Sequence, residues 1–305
     1  MPHPQRVPAR RYAQGVQSGR QRFEGPSDLH LHSVHSDGTE PPAQVMQAVH
    51  RRGLRTAALT DHDSTAGWAE AAEAATSLGM TFIPGMEFSA VHGRRSVHVL
   101  AYLFDADDAA LRAEADRIRV ARIGRAEQIV AAIGRDYDLT WDDVVAQTGD
   151  GATVGRPHIA DALVARGLAR DRSEAFAGIL HPSAGYYVPH YAPDAATAVR
   201  LIVAAGGVPI IAHPSPAGRD RMMPISALEE LIGLGLAGFE LGHRENTPTG
   251  VATLRALVER HDLIVTGSSD YHGLGKPNIP GEHTTSDEMV ARIIDRATGN
   301  TPVYP

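Results

Sequence analysis

The residues best equipped for chemistry stand between Ser27 and Asp63. There SDLHLHSVHSDGTE and, after a helix-like run, TAALTDHDS set four histidines and several carboxylates on two short apolar stretches. In an extended chain alternate side chains share a face, so His30 and His32, two apart, can close on one cation. The chain has no Cys, which removes thiolate ligation. What remains is an imidazole and carboxylate site, suited to Zn, Mn or Fe in hydrolysis better than to a structural zinc. One HxH among 16 His carries little weight alone. Its weight comes from what recurs further along.

Seven short apolar runs can be read as strands, at 27–31, 56–60, 81–84, 97–104, 208–212, 238–241 and 263–267. His30 and His32, Asp61 to Asp63, Glu87, His213, His243, and Asp270 with His272 all stand at or just past the carboxyl end of a run. The run 97–104 breaks the rule, because His98 lies near its start. Runs that are apolar on both faces fit strands covered by helices on one side and a barrel interior on the other. Helix-like segments separate them: one bracketed by Pro41, Pro42 and Gly53, then 66–78, 194–205, 225–234, 249–261 and 286–297. Strand alternating with helix predicts a parallel sheet, and polar residues at strand ends predict a barrel with its mouth there.

The alternation stops between 105 and 190, where helices are predicted at 107–134, 141–147, 157–166 and 172–180. Three parts follow: a basic leader at 1–26, a barrel from 27–104 and 191–305, and a helical insertion at 105–190 that shapes access to the mouth.

Composition narrows the function classes. With 305 residues, 43% of them hydrophobic, the chain can bury a substantial core in one or two domains. No run approaches the roughly 18 apolar residues of a membrane span. Lack of Cys excludes disulfides and thiol redox catalysis and is compatible with a cytoplasmic location. Net charge is −7 although the first 26 residues hold five Arg and one Glu. The acidic remainder argues against a duplex nucleic-acid surface. The leader, rich in Pro, Gln, Gly and Arg, reads as a flexible extension without the apolar core of a secretory signal. Lys276 is the sole lysine beside 28 Arg, which reads as compositional bias.

The ordered set HxH with SDG, TDHD, GMEFS, VHVL, AHP and SDYH resembles the PHP (polymerase and histidinol phosphatase) metal-dependent phosphoesterases, over residues 27–280. The resemblance implies an α/β fold, a distorted seven-stranded (β/α)7 TIM-like barrel with a helical insertion domain as substrate cap. It also implies two to three divalent ions, Mn, Zn or Fe. Matched by position, His30, His32, Glu87 and Asp270 would hold one ion. Glu87, His98 and His213 would hold a second, with Glu87 as the catalytic bridge, and Asp37, His62 and His272 a third. Neutral imidazoles bind ions without cancelling their charge, and ions activate water and screen phosphoryl oxygens, so no Ser or Cys nucleophile is required. Asp28, Asp61 and Asp63 are expected to orient the imidazoles.

Substrate groups are expected on the insertion. Arg122 and Arg125, three apart, share a helix face. Arg156 and His158 lie in TVGRPHIA at a helix start, which attracts anions. The three Arg positions resemble those that contact the nucleotide in PHP enzymes acting on nucleoside bisphosphates. His190 and His243 are expected to reach the phosphate or protonate the leaving oxygen. The lysine usual in the family before the YVP-like run is absent, with Ser183 and Ala184 there instead.

Together these features predict a cytoplasmic phosphoesterase acting on a small nucleotide or short oligonucleotide, with no duplex or membrane partner. The specific expectation is hydrolysis of the 3'-phosphate of a nucleoside 3',5'-bisphosphate, giving nucleoside 5'-monophosphate and phosphate. Its rivals are a 5'-3' exoribonuclease on short RNA, a histidinol-phosphate phosphatase and a non-enzymatic metal-binding accessory module. Histidinol phosphate would call for acids beside its ammonium where the insertion offers Arg, and an accessory module would show broken ligands.

Overall fold

The computed structural model describes residues 25–149, 151–189, 191–217 and 222–305. Most of the basic leader, and His190, lie outside the described residues. Seven strands form one sheet in chain order: β1 (Ser27–Asp28), β2 (Thr56–Leu59), β3 (Thr81–His92), β4 (Arg95–Tyr102), β5 (Val208–Ile211), β6 (Gly238–Gly242) and β7 (Ile264–Gly267). The backbone N–H of His32 donates to the carbonyl of Tyr271 at 2.9 Å, and Leu31 bridges Tyr271 in parallel. These contacts draw the two ends of the sheet together into a nearly closed barrel.

The expected parallel order holds within β1–β2–β3 and within β5–β6–β7, but β4 runs antiparallel to both neighbours. His92 pairs with Arg95, so only two residues join β3 to β4, and Gly93 takes the positive φ of 60° that such a tight hairpin favours. No crossover helix fits into two residues. The reversal explains the run that broke the rule: the start of β4, with His98, lies at the same rim as the ends of the parallel strands.

Helices α1 (Pro42–Arg51) and α2 (Trp68–Ser77) fill the first two crossovers. The insertion follows as α3 (Ala109–Ile133), α4 (Trp141–Val145), α5 (Arg156–Ala165) and α6 (Arg172–Ala177), and α7 (Ala195–Ala204), α8 (Ile225–Gly233), α9 (Pro248–His261) and α10 (Asp287–Arg296) complete the shell. Each shell helix turns an apolar stripe inward, such as Val45, Met46 and Val49 of α1 or Leu254 and Leu257 of α9. Phe82, Phe88 and Phe239 are fully buried under these helices. Each contributes about 2–3 kcal/mol by leaving water. Inside the barrel Leu29, Ile83, Leu100, Tyr102 and Ile210 form a separate cluster, where the Tyr102 hydroxyl donates to the Leu29 carbonyl at 2.9 Å.

The insertion has an apolar cluster of its own, with Ile129, Ile133, Leu139, Val144, Ile159, Leu163 and Leu180. Its helices start where side chains satisfy free N–H groups. The Asp108 carboxylate accepts from Ala110 and Leu111, and Thr140 with Asp143 forms a capping box. Among the described residues, no helix is long and apolar enough to cross a membrane.

Candidate metal centre

Histidines from beyond β1, β2 and β5 and from the start of β4 converge on Glu87, in the middle of β3. Its Oε2 lies 3.1 Å from Nε2 of both His30 and His32 and 3.2 Å from Nδ1 of His62. Its Oε1 lies 2.7 Å from His98 Nδ1 and 3.2 Å from His213 Nε2. His30 and His32 follow β1 in extended chain and, as their spacing predicts, share a face, with Nε2 atoms 3.1 Å apart. Asp270, past β7, sets Oδ1 3.4 Å from both imidazoles. Asp37 Oδ1 stands 3.1 Å from His272 Nε2, and Oδ2 stands 3.8 Å from His62 Nε2.

Three donor groups result, each with ligand atoms within 4.8 Å of one another: His30, His32, Glu87 and Asp270; His62, Glu87 and His98; and His32, Asp37, His62 and His272. Eight of the nine residues singled out as metal ligands fall in these groups, and the ninth, His213, joins at the same rim through Glu87. His62 extends its reach beyond the expected set, since it faces both Asp37 and Glu87.

The residues suit divalent cations. Asp37 Oδ1, His62 Nδ1 and His272 Nε2 are buried without an aligned hydrogen bond, a costly state for polar atoms unless an ion draws them together. Burial opposes ionisation of Glu87, but His62, His98, His30 and His213 hold its pKa well below the usual carboxylate range. Burial likewise opposes charge on His30, yet Glu240, Glu87 and Asp270 raise its pKa well above that of free imidazole. The backbone is strained at the same place: Asp63, His213 and Asp270 adopt φ of 51°, 29° and 55°. A non-glycine residue there costs on the order of 1–3 kcal/mol, which the surrounding packing must offset. At Asp270 the offset comes from Asn278, whose side-chain amide donates to the carbonyls of Ser269 at 2.7 Å and Asp270 at 3.2 Å.

The acids expected to orient imidazoles act mainly on the neighbouring loops, and Asp61 reaches a ring through Ser36, whose Oγ lies 3.2 Å from His32 Nδ1. Asp61 accepts from Ser33 N–H and Oγ at 2.7 Å and from Ser36 Oγ at 2.6 Å. Asp63 accepts from Ser89 N–H and Oγ, both at 2.7 Å. Asp28 receives the N–H groups of Ser269 at 3.0 Å and Gly281 at 2.8 Å, and with no counter-charge its burial pushes the pKa up to about 6. An acid outside the donor groups that grips an imidazole directly is Glu240, which the sequence reading passed over. It is fully buried in β6, faces His30 Nδ1 at 3.0 Å and accepts from His213 N–H at 2.9 Å. A glutamate inside the apolar run GFEL was the available signal.

Lys276 is no compositional remnant, for its Nζ donates to Asp270 Oδ2 at 2.6 Å beside the cluster. His243 stands within the cluster: its buried ring lies 5.2 Å from that of His213 and 6.4 Å from that of His30, and Nε2 faces Asp270 Oδ2 at 3.5 Å. His158 turns away. Its Nδ1 accepts from Gly155 N–H at 3.1 Å, folding the ring over the start of α5 and off the cavity wall.

Over the cluster opens a cavity of about 690 Å3, which Arg122, Arg125 and Arg156 line as expected. None is a solvated surface charge. Arg122 Nε donates to Asp63 at 3.1 Å and Nη2 to Ser89 Oγ at 2.6 Å. Arg125 is only 8% exposed, donates to the Val188 carbonyl at 2.6 Å and lies 5.2 Å from the Tyr187 ring centre. Burial, with Arg156 and Arg122 nearby, lowers its pKa to about 10, the signature of a cationic pocket. Arg156 faces the Phe176 and Tyr187 rings at 5.3 and 5.8 Å.

Comparison with known proteins agrees with this geometry. The PHP domain family model matches residues 28–136. The chain is 32% identical over 270 residues to a 3',5'-nucleoside bisphosphate phosphatase of Chromobacterium violaceum, covering 88% of this chain and 95% of the relative. It is 30% identical over 259 residues to a phosphoribosyl 1,2-cyclic phosphate 1,2-diphosphodiesterase of Eggerthella lenta, covering 81% and 94%. A crystal structure of a protein assigned as a metal-dependent phosphoesterase, from Bifidobacterium adolescentis, superposes with a TM-score of 0.87 at 40% identity, over 91% of this chain and 98% of the other. Rim, donor groups and kinship lead to one conclusion: the chain belongs to the PHP family of metal-dependent phosphoesterases.

Proposed function

We propose that the chain hydrolyses the 3'-phosphate of a nucleoside 3',5'-bisphosphate, giving a nucleoside 5'-monophosphate and phosphate. One observation carries the reading. A single cavity joins the carboxylate and imidazole cluster to a second anion-binding pole, buried Arg125 beside Arg156, which no hydrolytic centre needs for a substrate with one phosphate. The name of the Chromobacterium relative supports the same substrate class.

In this proposal His30, His32, Glu87 and Asp270 hold one ion, Glu87, His98 and His213 a second, and Asp37, His62 and His272 a third, Mn, Zn or Fe. Bound divalent ions would supply Lewis acidity, lowering the pKa of water and offsetting phosphoryl charge. The chain's own residues do the rest. Glu240 fixes the His30 ring, and Asp61 and Asp63 fix the loops that carry His32 and His62. Arg125 and Arg156 bind the phosphate that is not cleaved, so the scissile ester is presented to the cluster in one orientation. Lys276, on the cavity wall, adds positive charge beside Asp270. The insertion then acts as a substrate cap that contributes the second pole.

A diester reading is the alternative, favoured by the diphosphodiesterase name of the Eggerthella relative. It includes trimming of short RNA from the 5' end. The test is chromatographic identification of products, with released phosphate counted alongside, for the Mn-loaded protein on adenosine 3',5'-bisphosphate, histidinol phosphate, a 5'-phosphorylated dinucleotide and a ribose 1,2-cyclic phosphate, since diester cleavage yields a monoester and no free phosphate. Preference for the bisphosphate supports the proposal; preference for a diester replaces it, and no turnover on any of them leaves the accessory-module reading.

A further inference from the structure

We infer that the helical insertion is a working part of the metal centre, with Arg172 as the positioning residue that holds the Asp37 group of donors in shape. The loop after β1 presents three successive carbonyls to the insertion, and each receives a donor. Thr153 N–H reaches His35 O at 2.9 Å, the His158 ring donates to Ser36 O, and Arg172 Nη1 donates to Asp37 O at 3.0 Å. None of these contacts involves the side chain of Asp37, so its carboxylate stays free to face His62 and His272.

Arg172 is well placed for that task. Its guanidinium forks onto Asp161 of α5 through two bonds of 2.6 Å, and the side chain is only 14% exposed. A planar fork fixed on one carboxylate leaves its remaining donor at a defined angle, which an ammonium could not do. The same guanidinium packs on Gly275, where an added Cβ would lie 2.1 Å from Nη1. Gly275 belongs to the loop of His272, since its N–H donates to the His272 carbonyl at 3.2 Å, and Thr39 N–H reaches that carbonyl too at 3.1 Å. Arg172 therefore sits where the Asp37 and His272 loops meet, and its anchor is on the insertion. The group of His62, Glu87 and His98 meets the insertion elsewhere, through Arg122 to Asp63 at 3.1 Å and to Ser89 Oγ at 2.6 Å, so Arg172 bears on the Asp37 group.

This inference rests on the metal reading of the cluster and is independent of which phosphate ester is hydrolysed. The test is Mn2+ titration, with ions per chain counted on the purified protein, and amide hydrogen exchange over residues 33–39. In Arg172→Gln and Gly275→Ala one class of ion should bind about 10–100-fold more weakly while the rest are unchanged, and exchange at 35–39 should quicken. Arg172→Lys should fail to restore the lost class, and Asp161→Asn should show a smaller shift in the same direction. Arg170→Ala, on the exposed pair with Glu174, should match the unsubstituted protein. If Arg172→Gln fails to fold, Gly275→Ala and Asp161→Asn decide. Wild-type ion binding in the variants, equal weakening of every ion, or an unsubstituted protein that never fills the Asp37 group would each overturn the inference.

Discussion

Glu87 and His98 meet across an antiparallel pair of strands, Oε1 to Nδ1 at 2.7 Å, with Ser89 as the Cα partner of His98. His98 thus stands beside the carboxylate shared by two donor groups, and β4 has to run backwards to bring it there. Replacing Glu87 with Ala should lower turnover by about 10^3-fold or more, beyond the usual effect of deleting one charge-stabilising group. It should also reduce the number of ions retained. Full activity with full metal content would remove Glu87 from the centre.

Glu240 holds His30 through Nδ1 at 3.0 Å while the Nε2 of the same ring faces Glu87 at 3.1 Å. In Glu240→Gln the amide can satisfy only part of the contacts made by both carboxylate oxygens, to His30 and to His213 N–H. Metal affinity should fall about 10–100-fold with the fold intact, as for other partners of metal-binding histidines. Calorimetric titration with Mn2+ measures this directly, and unchanged affinity would reduce Glu240 to a buried packing group.

Arg125 and Arg156 should matter for substrates with two phosphates and little for those with one. Each Ala variant loses charge-assisted contacts worth about 1.5–3 kcal/mol, or roughly 10–100-fold in KM, with kcat changed far less. Steady-state kinetics on adenosine 3',5'-bisphosphate and on p-nitrophenyl phosphate separates the cases. An equal effect on both would place the two arginines at the scissile phosphate instead.

His32 gives a pH signature to protein stripped of metal. Burial opposes its charge, but Asp270 and Glu87 outweigh burial and raise its pKa from 6.5 to about 9. A pKa raised on folding stabilises fully below about 6.5 and loses that contribution as pH climbs through about 9. Thermal unfolding in EDTA should therefore show Tm falling across this window, with a contribution on the order of 3 kcal/mol from this group. With Mn2+ the trend should weaken or invert, because ions need the neutral imidazole. A flat Tm in EDTA would contradict the assignment.

The sequence by itself determined the strands and the shell helices and marked candidate donors near the strand ends, while the set of nine came with the resemblance to the PHP family. The signals in the sequence are local: short apolar runs, helix starts marked by Pro and Asp, and His, Asp and Glu placed at the ends of runs. Even His98 was legible as a residue, though not the reversal of its strand, because a two-residue link reads as a turn only when its partner strand is known. Tertiary structure decided the rest. Glu240 looked like one acid in an apolar run until the barrel closed and set it against His30, more than two hundred residues away in the chain. Lys276 acquired a role only when the β7 loop brought it to Asp270. His158 carried the right chemistry, but the start of its helix folded the ring off the cavity wall. Side-chain type is written in the sequence, whereas direction depends on register, bulges and the approach of distant loops, and those are set only when the chain packs.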